Sequence, residues 1–254
     1  MIPNLEVTVN DDGRRAARAT VQAYARMAAV LCLLSYIAGG FGEGYVPSRL
    51  IVSADASATA GNIRALDSLL RMGFAGYLVE AVCDITLSLL LYVLLRPVRN
   101  DVALLSAFFG LVGTAVYGVA ELAYFAASHI VGGASYLNTF SPDQLNTLAL
   151  LSLKLFGYAG GLFLVFYGVA WVLRGYLIFR SGYLPKFLGV LMVICGLAFI
   201  MRNLAIVLAP AYPTGWLLLF ALPGGLALTL WLLVKGVDVS KWQASVATAA
   251  ERNA

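Results

Sequence analysis

Two acidic residues in this sequence are four positions apart, a spacing that could support acid–base chemistry. Glu80 and Asp84 would present both carboxyl groups on one face of a helix. Two adjacent carboxylates in a low-dielectric site resist double ionisation, so such a pair can share a proton and serve as acid and base. Three further charged residues interrupt later apolar runs, namely Glu121, Lys154 and Arg202.

Charged side chains are costly inside a bilayer and usually face the interior of a helix bundle or a water-filled cavity. At about 1.5 Å of helix per residue, Glu80, Lys154 and Arg202 fall in the outer half of the membrane. Asp84 falls nearer the middle and Glu121 nearer the outer end. The five residues therefore predict a polar pocket that binds or permeates a small or amphipathic ligand. One alternative is a structural or regulatory membrane partner, with buried ion pairs joining the helices and with Lys154 and Arg202 snorkelling to the interface.

Catalysis is the second interpretation of the same residues. The carboxyl groups of Glu80 and Asp84 would serve an intramembrane acid–base enzyme of the hydrolase or cyclase type. The sequence has no H-E-x-x-H, E-x-x-H or G-x-S-x-G motif, and its single histidine, His129, lies near the end of an apolar run. A metal site that added Glu121 and His129 to the pair would have few nitrogen or sulfur ligands. We therefore favour a non-enzymatic function and predict neither a metal nor a cofactor.

The elements that position these residues follow from the composition. Of 254 residues, 61% are hydrophobic and only 12% are charged, whereas about a quarter of a soluble domain is charged. This excludes a disordered protein, a nucleic-acid module and a water-soluble enzyme. Because a membrane span needs roughly 20 apolar residues, the apolar runs predict six spans in an all-α, polytopic transmembrane helix bundle. Their predicted bounds are 24–41, 72–95, 102–131, 145–173, 187–208 and 215–234.

Basic residues predict the orientation of the bundle. Lysine and arginine concentrate before the first span, in the connections after the second and fourth spans, and after the sixth. Arg174 and Arg180 are assigned to the connection after the fourth span. The positive-inside rule places that side, and both termini, in the cytoplasm. The predicted parts are a cytoplasmic tail over 1–23, a membrane domain over 24–236 with an outer loop over 42–71, and a second cytoplasmic tail over 237–254.

The outer loop is predicted to contain a short helix. Thr59 is placed to cap it, and Ile63 would lie on its apolar face. The spacing of Arg64, Asp67 and Arg71 favours ion pairs on another face. Two interpretations stay open: a lead-in to the second span at the membrane surface, or a lid over an outward-facing pocket.

Three segments of the chain resemble a known family. They are Leu94-Leu95-Arg96-Pro97-Val98, the eleven residues from Gly175 to Pro185, and the closing run from Leu230 to Trp242. Together they resemble the bacterial membrane-protein family called domain of unknown function 4386. The resemblance implies six spans, a bacterial cytoplasmic (plasma) membrane and no assigned biochemistry. Polar residues that the family often carries are replaced here, so no site residue is carried over; the positions concerned are Gly110, Gly113, Phe156 and Gly225.

The partners predicted for this chain follow from its class. The lipid bilayer surrounds the spans, a small amphipathic ligand enters the pocket, and nucleic acid is not a partner. Six spans are few for a transporter, so a homodimer is also considered, although the sequence shows no internal repeat that would support inverted halves.

Overall fold

The computed structural model describes residues 11–209 and 211–253, with the side chains of 18–209 and 211–252. These residues form ten α-helices with short π and 3-10 segments and contain no strand, which confirms the predicted all-α bundle. Residues 1–10 of the predicted tail lie outside the described residues. The helices are α1 (Asp11–Gly39), α2 (Val46–Leu50), α3 (Ala56–Ala65), α4 (Asp67–Leu95), α5 (Asn100–Val131), α6 (Pro142–Ser181), α7 (Lys186–Leu208), α8 (Leu218–Ala221), α9 (Pro223–Val234) and α10 (Val239–Asn253).

Six helical stretches of the described chain are long and apolar enough to cross a membrane, as predicted. The fifth and sixth agree with the predicted bounds to within one residue, whereas the first and fourth are longer. The sixth is interrupted at Leu222, between α8 and α9. The stretches are Arg18–Leu50, Asp67–Leu95, Asn100–Val131, Pro142–Ser181, Lys186–Leu208 and Gly215–Val234.

The first span is longer than predicted because its helix continues through a glycine-rich segment. α1 passes into a π-helix over Gly40–Tyr45, which leads directly into α2. Pro47 gives the reason: proline has no N–H, and in a regular α-helix its ring collides with the carbonyl four residues earlier. In the π-helix the Val46 N–H bonds to the Phe41 carbonyl, five residues back, so the turn widens ahead of the proline. The connection to the second span therefore begins after Leu50 and not at residue 42.

That connection is mostly helical, as predicted, but its cap is different. The side chain of Asp55 caps α3 by accepting a hydrogen bond from the Ala58 N–H at 2.8 Å, so the assignment of the cap to Thr59 was wrong. Thr59 is buried and donates its hydroxyl to the Asp55 carbonyl at 2.8 Å. Ile63 is fully buried, and α3 packs against α5 and α6.

Polar contacts fix α3 over the ends of its neighbours. At the start of the neighbouring α4, Arg71 pairs with Asp67 at 2.7 Å, as the spacing predicted. Arg64 instead donates to the side-chain oxygen of Asn146 at 3.0 Å and to the Val131 carbonyl at 3.4 Å. α3 thus covers one end of the bundle, which we call the α3 end. The opposite end, where α10 lies, is the α10 end.

The α10 end is closed by hydrogen bonds to a helix carbonyl. The Leu94 carbonyl, near the end of α4, accepts from the Tyr183 hydroxyl at 2.7 Å and from the indole N–H of Trp242 at 2.9 Å. Carbonyls in the last turn of a helix have no partner within the helix, so these side chains satisfy one of them. Gln22 of α1 also donates to the Val237 carbonyl at 2.8 Å. α10 is therefore docked on the bundle.

Candidate functional site

A cleft of about 520 Å³ lies between α6 and α7 toward the α3 end. This volume is typical of pockets for small molecules. Its deeper lining includes polar side chains, Glu43, Arg202 and Asn203, together with the ring of Tyr117. Other lining residues reach the outer surface of the bundle and are largely apolar and exposed: Tyr158, Leu162, Val207 and Leu208.

Glycines explain why α6 and α7 touch at one end and separate at the other. A Cβ added at Gly175 would lie 2.7 Å from the Gly189 carbonyl oxygen, and one added at Gly168 would lie 2.7 Å from the Gly196 carbonyl oxygen. The backbones are therefore in direct contact at these two pairs, which we call the glycine seam. Small residues allow such close approach of helices in membranes.

One polar residue ends the glycine seam. Seven residues beyond Gly168 and Gly196, toward the α3 end, the facing positions are Gly161 and Asn203. A Cβ at Gly161 would lie 3.2 Å from the side-chain oxygen of Asn203, so the asparagine side chain fills the space between the helices. Asn203 also donates to the Phe199 carbonyl at 2.8 Å, which fixes its orientation. The cleft opens at this level, lined by both residues.

Glu43, which the sequence analysis did not single out, supplies the acid of the cleft. It stands on the π-helix of the first span, and its side chain interacts with those of Tyr117 and Glu80. Glu43 Oε1 and Glu80 Oε2 are buried, and neither accepts a hydrogen bond from a described residue. Two acidic side chains from different spans therefore lie together beside the cleft.

The five predicted site residues occupy different surroundings. Arg202 lines the cleft, and Glu80 adjoins it through Glu43. Glu121 is only 3% exposed and interacts electrostatically with Glu43, but it does not line the cleft. Asp84 is buried deeper in the bundle, where it accepts a hydrogen bond from Ser35. The fifth residue, Lys154, is exposed on α6 and does not line the cleft.

A second polar group lies nearer the α10 end, around Arg174. This arginine is 2% exposed, donates to the Ser88 hydroxyl at 3.1 Å and stands over the ring of Tyr167 at 5.9 Å. Asp84 interacts electrostatically with it and accepts a hydrogen bond from the Ser35 hydroxyl at 2.8 Å. We call Ser35, Asp84, Ser88, Tyr167 and Arg174 the Arg174 layer.

The prediction that Arg174 belongs to the connection after the fourth span was wrong. The apolar run continues to Phe179 and α6 to Ser181, so the charged end of the span is Arg180. Space for the buried guanidinium comes from Gly110, where a Cβ would lie only 2.8 Å from Arg174 Nη2.

Among the described side chains, the five predicted site residues form no ion pair. The described side chains form three ion pairs, Arg71–Asp67, Arg99–Asp101 and Lys241–Asp238, and none includes a predicted site residue. Within the same part of the chain, no group of three or more His, Cys, Asp or Glu side chains is arranged to hold a metal ion. What the arrangement offers chemically is a carboxyl group and a guanidinium in one amphipathic cleft.

Comparison with known proteins gives the family of the chain. The family described as "Domain of unknown function (DUF4386)" matches residues 27–236. An uncharacterized protein of Archaeoglobus fulgidus is 27% identical over 166 residues, which are 65% of this chain and 85% of that protein. No solved structure matches the chain. Because the family match runs from within the first span to just beyond the sixth, this chain belongs to the DUF4386 family, as the three segments predicted.

Proposed function

We propose that this protein binds or permeates a small amphipathic ligand through the cleft between α6 and α7. The observation that carries the proposal is the combination, in one cleft, of Glu43 and Arg202 with exposed apolar residues such as Leu162 and Val207. The polar part of a ligand would contact the charged side chains, and its apolar part would lie along the mouth. Such a division of contacts orients an amphipathic molecule.

The enzymatic alternative receives less support from the same geometry. An acid–base pair must reach the substrate to within hydrogen-bond distance. Neither Glu80 nor Asp84 lines the cleft, and Asp84 is 3% exposed and bonded to Ser35. A purely structural role would not require a cleft of this volume.

For the membrane placement we propose the bacterial cytoplasmic membrane, with both termini in the cytoplasm and the cleft in the outer leaflet. The distribution of lysine and arginine supports this orientation. A reporter fused after Trp242 should be cytoplasmic, and a cysteine at Ser53 should react with an impermeant reagent added outside. Labelling of that cysteine only from the inside would reverse the orientation and place the cleft in the inner leaflet.

Filling the cleft tests the binding proposal. Gly157 lines the cleft, and a Cβ added there has no atom within 4 Å, so Gly157→Leu should fold and occupy the ligand space. The matched control is Lys154→Leu, which places a leucine on α6 at an exposed position outside the cleft. The probes are lysophosphatidylethanolamine and dodecylamine, added to the purified protein in a neutral detergent while thermal unfolding is followed.

We expect at least one probe to raise the unfolding midpoint of the wild type and of Lys154→Leu, but not that of Gly157→Leu. Arg202→Gln should weaken the effect of the phosphate-bearing probe more than that of the amine. The proposal fails if neither probe stabilises the wild type, or if Gly157→Leu is stabilised as much as its control.

A further inference from the structure

Four arginines converge on a groove at the α10 end, opposite to the cleft. Arg96 and Arg99 belong to the turn between α4 and α5, Arg180 to the end of α6, and Arg252 to α10. Two adjoining cavities of about 370 and 410 Å³ form the groove, and they share Arg99 and Arg252 in their linings. We call it the arginine groove.

The arginine groove carries more positive charge than its own acid can balance. Asp101 accepts two hydrogen bonds from Arg99, from Nε at 3.2 Å and from Nη2 at 2.6 Å. The guanidinium groups of Arg96 and Arg180 have no hydrogen-bond or ion-pair partner among the described residues. Arg252 donates only to backbone carbonyls. Three guanidinium groups thus face the groove without an acidic partner.

Three hydroxyl groups in the groove already donate their hydrogens within the protein and are not available to an anion. Ser181, Ser245 and Thr248 line the groove, but each donates its hydrogen to a carbonyl of its own helix at 2.8 to 3.1 Å. The available hydrogen-bond donors of the groove are therefore the arginines, with the Tyr176 hydroxyl and the Asn100 side-chain amide beside them. A guanidinium presents its N–H groups in a planar fork that matches the oxygens of a phosphate.

The groove is held in shape by contacts between elements distant in sequence. Arg252 donates to the Pro97 carbonyl at 3.4 Å, and Trp242 joins α10 to the end of α4 at 2.9 Å. The ends of α4 and α6, where two spans stop, form its other walls. Lipid headgroups lie at the ends of membrane spans.

We propose that the arginine groove binds a phosphate group, carried either by an anionic membrane lipid or by a soluble phosphate compound. Three guanidinium groups without an acidic partner line the two adjoining cavities, and each contact of such a group with a phosphate is a charge-assisted hydrogen bond. This site lies at the other end of the bundle from the cleft and does not depend on what the cleft binds.

The test follows thermal unfolding of the purified full chain in a neutral detergent. Phosphatidylglycerol, net-neutral phosphatidylcholine or inorganic pyrophosphate is added over a range of concentrations. The variant Arg96→Gln/Arg180→Gln removes two unpaired arginines of the groove. Its control is Lys186→Gln/Lys235→Gln, which removes two exposed cations near the same ends of the spans that do not line the groove.

We expect phosphatidylglycerol or pyrophosphate, but not phosphatidylcholine, to raise the unfolding midpoint of the wild type. At about fivefold in affinity per basic residue, the double arginine variant should bind about 25-fold more weakly. The lysine control should bind like the wild type. If the double variant does not fold, Arg180→Gln alone should show the fivefold loss.

Protection by phosphatidylglycerol alone identifies a lipid as the source of the phosphate, and protection by pyrophosphate identifies a soluble compound. Both results support the arginine groove as a phosphate site. The proposal is overturned if neither compound protects the wild type, or if the lysine and arginine variants lose equal affinity, which would indicate attraction by the surface charge as a whole.

Discussion

The two halves of the α6–α7 pair differ in how they use the space between the helices. Toward the α10 end, the glycine seam brings backbones into contact at Gly168–Gly196 and Gly175–Gly189. Toward the α3 end, Asn203 faces Gly161 and a cleft opens. The same seven-residue spacing runs through both halves. The change from glycine to asparagine at this spacing coincides with the change from close packing to a cavity.

The charged residues of the two halves show a matching contrast. Arg174 is enclosed near the closed half, where it contacts Ser88 and Tyr167 and interacts electrostatically with Asp84. Arg202 lines the cleft and donates only to the adjacent Asn203. An enclosed charge must be balanced by the protein itself, whereas a charge in a cleft is available to a ligand. The closed half is therefore expected to govern stability and the open half binding.

The largest effect should come from truncating the enclosed arginine. Arg174→Met removes the buried guanidinium that donates to Ser88 and interacts electrostatically with Asp84, which we expect to cost about 3 kcal/mol. Adding Asp84→Asn should recover much of that loss. Arg202→Met is the matched variant in the cleft and should change the free energy of unfolding by less than about 1 kcal/mol. Unfolding of the four proteins in detergent measures these differences, and equal losses at the two arginines would remove the distinction between the halves.

A smaller effect is expected from a methyl group in the glycine seam. A Cβ at Gly196 would lie 2.5 Å from the Gly168 carbonyl oxygen, so Gly196→Ala must push the two helices apart. Overpacking of this kind costs about 1–3 kcal/mol. Gly157→Ala, the same substitution where the Cβ has no neighbour within 4 Å, should be neutral or stabilise by up to about 1 kcal/mol. Stabilisation by both variants would show that the seam is not close-packed.

Replacing the acid of the cleft should affect stability less. Because the Glu43 side chain faces another acid, Glu80, Glu43→Gln keeps a side chain of similar shape and removes the possibility of like-charge repulsion. We expect a change below about 1 kcal/mol in the free energy of unfolding. Chemical denaturation of Glu43→Gln and of Glu43→Gln/Glu80→Gln provides the measurement. A loss of several kcal/mol would mean that Glu43 is ionised and serves to hold the bundle together.

The smallest effect should be confined to α10. A hydrogen bond from the Lys241 N–H lowers the pKa of the exposed Asp238 carboxyl, and the nearby Lys241 side chain lowers this pKa further by a smaller amount. A lowered pKa means that the stabilisation is complete above the ordinary aspartate pKa of about 3.9 and is lost as the pH falls through the lower value. The protection factors for amide hydrogen exchange in α10 should therefore fall below about pH 4, and Asp238→Asn should remove that dependence. An unchanged pH dependence in the variant would assign the effect to another group.

The fold was largely predictable because apolar content and span length dictate it. Six runs of sufficient length leave few alternatives to a helix bundle, and the bounds of the fifth and sixth spans are marked by Lys186 and Lys235. The predicted first span ends at residue 41, within a segment that contains Gly39, Gly40 and Gly42, and glycine is unfavourable inside a helix. In the structure, the π-helix before Pro47 continues the helix instead.

The candidate site was less predictable, and for physical reasons. Glu43 follows the glycine-rich segment, so it was assigned to the loop; the continuing apolar spacing of Val46 and Leu50 was the available signal. The direction of a side chain also depends on which helices are neighbours, which the spacing within one helix does not give. Lys154 is in an apolar run yet is exposed, whereas Arg174, at the margin of its predicted span, is enclosed.

The position of the cleft between two spans has a consequence for how any ligand would be supplied. Its mouth is formed by Leu162, Val207 and other exposed residues of membrane-spanning helices, so a ligand would enter sideways from the hydrocarbon. Occupancy would then follow the concentration of the ligand in the bilayer and not its concentration in water. Each added methylene raises partition into the bilayer about fourfold. In a series of ligands with lengthening chains, aqueous affinity would therefore climb steadily even where the contacts inside the cleft stay the same.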